Sequence, residues 1–141
     1  MILNVMTSNN HIAAEYPHFE LTDKIIKCAK EVHKRIGNGF HEVVYKRSLA
    51  HEFFFQNIPF ERETDMVGNN REIGLTDCAD FLVNGKVMVE LKSIMQFDDA
   101  HLTQTIDYLE ASNLEVGLLI NFGGKYLDFK RVINMKYHSQ S

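Results

Sequence analysis

Apolar residues occupy Phe81, Val83, Val87, Val89 and Leu91, whereas Asp80, Glu90 and Lys92 fall on even positions of the same stretch. Alternation of period two is the pattern of a strand with one face on a core, and Asn84-Gly85 in its middle predicts the turn of a hairpin. The parity continues through the turn, and this constrains the loop. A two-residue loop pairs residues whose numbers sum to an odd value and would place Asp80 and Glu90 on opposite faces. A three-residue loop, Val83-Asn84-Gly85 with Gly85 in the left-handed position of a bulge, pairs Leu82 with Lys86 and keeps the two acids together. The predicted arrangement is therefore two carboxylates and an ammonium on one face, with the acids near the diagonal cross-strand spacing of about 7–8 Å between backbones.

On either side of this hairpin the pattern becomes helical. Ile25, Ala29, Val32 and Ile36 form a stripe that predicts a helix over Leu21 to Ile36, with Thr22 as N-cap and Gly37 as C-terminal stop. Gly37-Asn38-Gly39 breaks it, and a second helix is expected from about His41 to Asn57, ending before Pro59. Glu42, Tyr45, Leu49 and Phe53 share one stripe of that helix. Glu42 thus extends a face that otherwise looks buried, where a carboxylate needs a partner, although an acid in a first turn is also favoured by the helix dipole alone. Phe60 to Val67 and Arg71 to Leu75 read as strands separated by Gly68-Asn69-Asn70. Asp98 is the expected N-cap of a third helix reaching about Ala111, with Phe97 and Leu102 as its hydrophobic staple. Leu102, Ile106 and Leu109 would face the core, while His101, Gln104 and Tyr108 form a second, polar stripe that either overlooks the acidic face or is simply an amphipathic edge. Glu115 to Phe122 is a continuous apolar run, expected as a strand covered on both faces, and Tyr126 onward forms a last strand closing near Ile133. The order describes an α/β domain, a mixed sheet flanked by helices, spanning residues 21–141 after a loosely ordered lead-in over 1–20.

A chain of 141 residues can bury about two-thirds of its unfolded surface around one core. Cys28 and Cys78 are too few for a zinc cage or an iron–sulfur cluster, and the first twenty residues lack the basic start and long apolar run of a signal or anchor. The expectation is reduced thiols, a cytoplasmic location and no membrane association. Nineteen acidic against fifteen basic residues give a net charge of −4, which argues against a broad non-specific nucleic-acid footprint. A local one is compatible, because acids gathered around an ion are neutralised by it. Magnesium takes oxygen from one or two carboxylates plus waters and a substrate phosphate, so Asp80 and Glu90 could hold it while Lys92 meets the phosphate. A solvated outer face carrying a surface Glu-Lys pair accounts for the same charges.

Gly39-Phe40-His41-Glu42-Val43-Val44-Tyr45 resembles the signature of the GxxExxY protein family, a branch of the PD-(D/E)XK nuclease superfamily. Asp80 followed by Glu90-Leu91-Lys92 is similar to that superfamily's D…ExK element, Gln104 with Tyr108 resembles the QxxxY element of its RecB-like members, and Val116 to Gly124 with Lys130-Arg131-Val132 resembles the family's ending. Ala79 stands where the superfamily's name has proline. The resemblance covers about Leu21 to Ile133. It implies a restriction-endonuclease-like core and cleavage of a nucleic-acid phosphodiester, DNA first, with magnesium or manganese. It further implies Glu42, Asp80, Glu90 and the backbone carbonyl of Leu91 as metal ligands, Lys92 as the group that orients or activates water, Gln104 as a shaper of the site, and Tyr108, His101 and Tyr45 on the substrate side. Two alternatives stand beside this: a non-catalytic binding module on the same fold, and a junction-resolving nuclease, which would need a two-fold homodimer.

Overall fold

The computed structural model describes residues 5–7, 16–62 and 79–139. Within them lie helices α1 (Phe19–Ile36), α2 (Glu42–Phe55) and α3 (Asp99–Ser112) and strands β1 (Val5–Thr7), β2 (Phe60–Arg62), β3 (Phe81–Val83), β4 (Val87–Lys92), β5 (Val116–Asn121) and β6 (Asp128–Ile133). The strands form one sheet in the order β1-β6-β5-β4-β3-β2. The β4–β5 pair is parallel and the other pairs are antiparallel; α3 makes the crossover that the parallel pair requires, and a tight turn joins β3 to β4. The mixed α/β sheet with flanking helices is as the pattern predicts.

Alternation along the strands sends each parity to its own layer. Phe81, Val83, Val87, Val89 and Leu91 join Ile25, Ala29 and Val32 of α1 and Tyr45, Leu49 and Phe53 of α2 in the larger core. Leu82 and Met88 pack with Ile106, Tyr108 and Leu109 of α3 on the opposite face. All six residues of β5 are buried, consistent with a strand covered on both sides. Phe53, Phe60 and Phe81 meet at centroid distances of 5.4–5.6 Å, two of the three pairs edge-on, the geometry that aromatic quadrupoles favour.

Several boundaries differ from expectation for local reasons. The first helix begins at Phe19 with His18 as its N-cap, in left-handed conformation and without a side-chain cap. Thr22 therefore lies inside the first turn, where its hydroxyl donates to Phe19 O at 3.0 Å and accepts from Arg131 Nε at 3.1 Å. Gly37 does end the helix, at φ 74°, its N–H on His33 O. The hairpin has a three-residue loop and Gly85 is left-handed at φ 67°, but the register is Val83↔Val87 and Leu82↔Met88, not Leu82 with Lys86. Val83 stays in the strand because its other edge is paired with Phe60 and the next N–H, Asn84, donates to Pro59 O at 2.8 Å. The loop is therefore Asn84-Gly85-Lys86. Within the expected lead-in, Val5–Thr7 pairs antiparallel with β6. The end of the predicted Phe60–Val67 strand and the whole of Arg71–Leu75 lie outside the described residues, as does Cys78. Among the described residues no helix is long and apolar enough to cross a membrane.

Candidate active site

The C-terminal end of β4 is bounded by α2 on one face and α3 on the other. Ser93 Oγ donates to Phe40 O at 2.7 Å, which ties the loop before α2 to the residue after Lys92. Asp98 caps α3 six residues beyond Lys92, through a reciprocal box in which Asp98 Oδ1 accepts from His101 N–H and His101 Nδ1 accepts from Asp98 N–H, both at 3.1 Å. Both helix N-termini thus approach the place where the parallel strands end, the usual location of a ligand crevice in open α/β sheets. Below it the backbone is locked. Asn121, opposite Lys92 in β5, accepts from the N–H groups of Ile94 and Gly123 and donates to Ile94 O, at 2.9–3.0 Å. The chains approach so closely here that a Cβ on Gly123 would lie 2.2 Å from Ile94 O.

Glu90 is the most constrained acid of the site, 2 % exposed. Its Oε1 lies 3.3 Å from Lys92 Nζ, two residues along the same strand and therefore on the same face, and its Oε2 lies 3.3 Å from Thr105 Oγ1 of α3. Burial pushes its pKa up to about 7; the neighbouring Lys92 charge and hydrogen bond oppose this, the Asp80 charge adds to it, and the Thr105 hydrogen bond opposes it. Thr105 Oγ1 is also 3.0 Å from His101 O. One hydroxyl proton serves one acceptor at a time. With Glu90 protonated, the carboxyl can donate to Thr105 and Thr105 to His101 O, so every group is satisfied.

Asp80 sits in the bend before β3, and with Phe81 opposite Val89 it is level with Glu90 and no longer diagonal to it. Its Oδ2 accepts Leu91 N–H at 2.6 Å, and its Oδ1 pairs with Lys46 Nζ of α2 at 2.9 Å. The site is therefore an acid pair within each other's field, with one lysine on each acid: Lys46 on Asp80 and Lys92 on Glu90.

The other candidates occupy different surroundings. Glu42 opens α2 and is half-buried, and among the described residues no three His, Cys, Asp or Glu side chains gather to hold an ion. It is Lys46, one turn further along the helix, that reaches Asp80. Tyr45 is fully buried; its hydroxyl donates to Gly37 O at 2.6 Å and accepts Phe40 N–H at 3.4 Å, while its ring stacks on Phe122 at 4.4 Å. In this place it anchors the loop before Glu42. Tyr108 is 3 % exposed within the α3 core, Gln104 is exposed, and His101 is engaged in the helix cap.

Lys46, Thr105 and Asn121 did not emerge from the pattern. Lys46 had a signal, since it stands four residues after Glu42 and so on the same helix face. Thr105 is one residue past Gln104, on the core-facing side. Asn121 appears in the sequence only as one polar residue inside an apolar run.

The donor set fits a hard divalent cation: carboxylate oxygens from adjacent strands, one of them nearly excluded from water and each compensated by a positive charge. No curated relative and no solved structure matches the chain. A family model described as the PD-(D/E)XK nuclease superfamily matches residues 19–132. That span runs from the start of α1 into β6, and it contains the acid pair, both lysines and strands β2 to β5 of the mixed sheet. With this sheet, and with Asp80 and Glu90-Leu91-Lys92 brought together at the end of β4, the chain belongs to the PD-(D/E)XK nuclease superfamily.

Proposed function

We propose that the protein is a metal-dependent nuclease of the GxxExxY branch, hydrolysing nucleic-acid phosphodiester bonds with DNA as its first substrate. The observation that carries this is Glu90: a carboxylate 2 % exposed, raised to about 7 by burial, and within the field of Asp80. A buried carboxylate beside a second acid is costly to keep for stability alone, and a perturbed acid in such a setting is characteristic of working sites.

Asp80, Glu90 and the carbonyl of Leu91 would hold magnesium or manganese, with Glu42 joining from the start of α2. When bound, such an ion neutralises charge on the phosphoryl oxygens and makes water more acidic. Lys92, 19 % exposed in its side chain and already beside Glu90, would place its ammonium where negative charge develops during attack. Thr105 and Asn121 would hold Glu90 and the backbone after Lys92 in position. Gln104, exposed on α3, would line the approach together with His101, while Tyr45 and Tyr108 would support the site from the core.

The test is a magnesium and manganese titration against single-stranded, duplex and branched DNA and RNA. Cleavage that appears with the ion and disappears with a chelator is the expected result. Binding to nucleic acid without metal-dependent cleavage of any substrate would instead assign the fold to a binding module. A solution mass twice that of one chain, with branched DNA preferred, would identify a junction-resolving dimer.

A further inference from the structure

We propose that Lys46 is a placeholder for the divalent cation: its ammonium occupies Asp80 while the metal is absent, has to leave as the ion binds, and so sets the metal affinity of the site. This inference rests on the metal-dependent reading above.

Among the described residues the Asp80 carboxylate has two partners of different character. Leu91 N–H, 2.6 Å from Oδ2, is a backbone group of a central strand and cannot withdraw. Lys46 Nζ, 2.9 Å from Oδ1, ends a flexible four-carbon stem. The Lys46 side chain is 37 % exposed, against 9 % for that of Asp80, so it has solvent into which to swing. Its backbone does not share this freedom, because neighbouring Tyr45 and Leu49 are completely buried and Tyr45 is pinned to Gly37 O. The exchangeable component of the Asp80 environment is therefore the Lys46 ammonium.

An ammonium and a dication cannot share one carboxylate oxygen cheaply. At a few ångströms in a partly desolvated site their repulsion is only weakly screened. The Asp80–Glu90 pair likewise cannot persist as two uncompensated charges, and Lys46 and Lys92 supply that compensation before any ion arrives. The two lysines then diverge in role. Lys92 adjoins Glu90 on the same strand and remains with it, whereas Lys46 approaches from another element and is displaced. Tethered one turn beyond Glu42, the displaced ammonium stays at the mouth of the site, where it can meet a phosphate oxygen. Metal affinity is lowered by the competition, and an ion too weakly bound to displace the lysine does not fill the site.

The experiment is calorimetric titration of magnesium and of manganese into the full chain, without nucleic acid, comparing the unmodified protein with Lys46→Met, Lys46→Gln and Lys46→Arg. Chelator-treated thermal melts report which variants fold, and Lys46→Gln serves if Lys46→Met does not. Removal of the charge is expected to tighten metal binding about tenfold or more, whereas Lys46→Arg, which keeps a cation on Asp80, leaves it no tighter than in the unmodified protein. Metal binding by the unmodified protein with unchanged or weaker affinity in Lys46→Met and Lys46→Gln would overturn the placeholder role while leaving the metal-dependent reading intact. Absence of metal binding in the unmodified protein and in all variants would overturn both.

Discussion

Replacing Glu90 by glutamine isolates the cost of ionising a buried acid. Glu90 is 2 % exposed, and its pKa is raised from 4.5 to about 7, first by desolvation. Between those values the folded chain binds more protons at this position than the unfolded chain does, so stability falls as pH rises through the window. The rise from 4.5 to about 7, at about 1.36 kcal/mol per pH unit, corresponds to roughly 3 kcal/mol of stability lost between about pH 4.5 and pH 8. Glu90→Gln has nearly the same shape and no charge to desolvate, so it lacks this loss. Its loss of the Lys92 contact is tolerable because that ammonium is partly exposed. The assay is urea denaturation of the metal-free protein and of Glu90→Gln, with chelator, at intervals from pH 4.5 to pH 8. The expected result is a stability difference that moves in favour of the variant by roughly 3 kcal/mol across the range, whatever its starting value at pH 4.5. A difference that stays flat, or that moves toward the unmodified protein as pH rises, would refute the assignment of Glu90 as an acid held above its ordinary range by burial.

Three further expectations follow from the same geometry. Lys92→Ala should keep the fold and metal binding while slowing single-turnover cleavage by about 10²–10³, as for loss of a preorganised transition-state donor; cleavage at the unmodified rate would remove Lys92 from the mechanism. Gly123→Ala should destabilise the chain by about 2 kcal/mol or more in thermal or urea unfolding, because its Cβ would meet Ile94 backbone at 2.2 Å and neither strand end can yield without losing the Asn121 hydrogen bonds. Tyr45→Phe should cost about 1–2 kcal/mol by the same measurement, since the Gly37 carbonyl loses a 2.6 Å donor while the ring still fills its place against Phe122; a change below a few tenths would mean that water replaces the hydroxyl at no cost.

Features that depend on near neighbours were legible in the chain. The Phe81–Leu91 alternation announced a hairpin because side chains on a strand must choose a face every residue. Asp98 announced a helix start, and the observed cap is built by residues three apart. Gly37 announced a helix end because a residue with positive φ, which glycine adopts without strain, closes it. The same parity keeps Asp80 and Glu90 on one face, with Phe81 opposite Val89. A three-residue loop of either register preserves parity, and the choice between Leu82–Lys86 and Val83–Val87 was made by β2, through Phe60 and the Asn84 bond to Pro59.

By itself, the sequence determined the period of each element, its caps and stops, the α/β class, and the residue types available for chemistry at Asp80, Glu90 and Lys92. All of these follow from steric and hydrogen-bonding preferences that act within a few residues. Only the tertiary structure decided which charges meet. Lys46 comes to Asp80 because α2 packs across the β3–β4 end of the sheet. Thr105 comes to Glu90 because α3 covers the other face, and Asn121 clasps Ile94 because β5 runs parallel to β4. It also decided that Tyr45 and Tyr108 lie in the core. Helical spacing defines a stripe of side chains, but the direction that stripe faces is set by the packing of apolar surface elsewhere in the fold. The environment that raises Glu90 arises in the same way, from layers closing over both sides of β4.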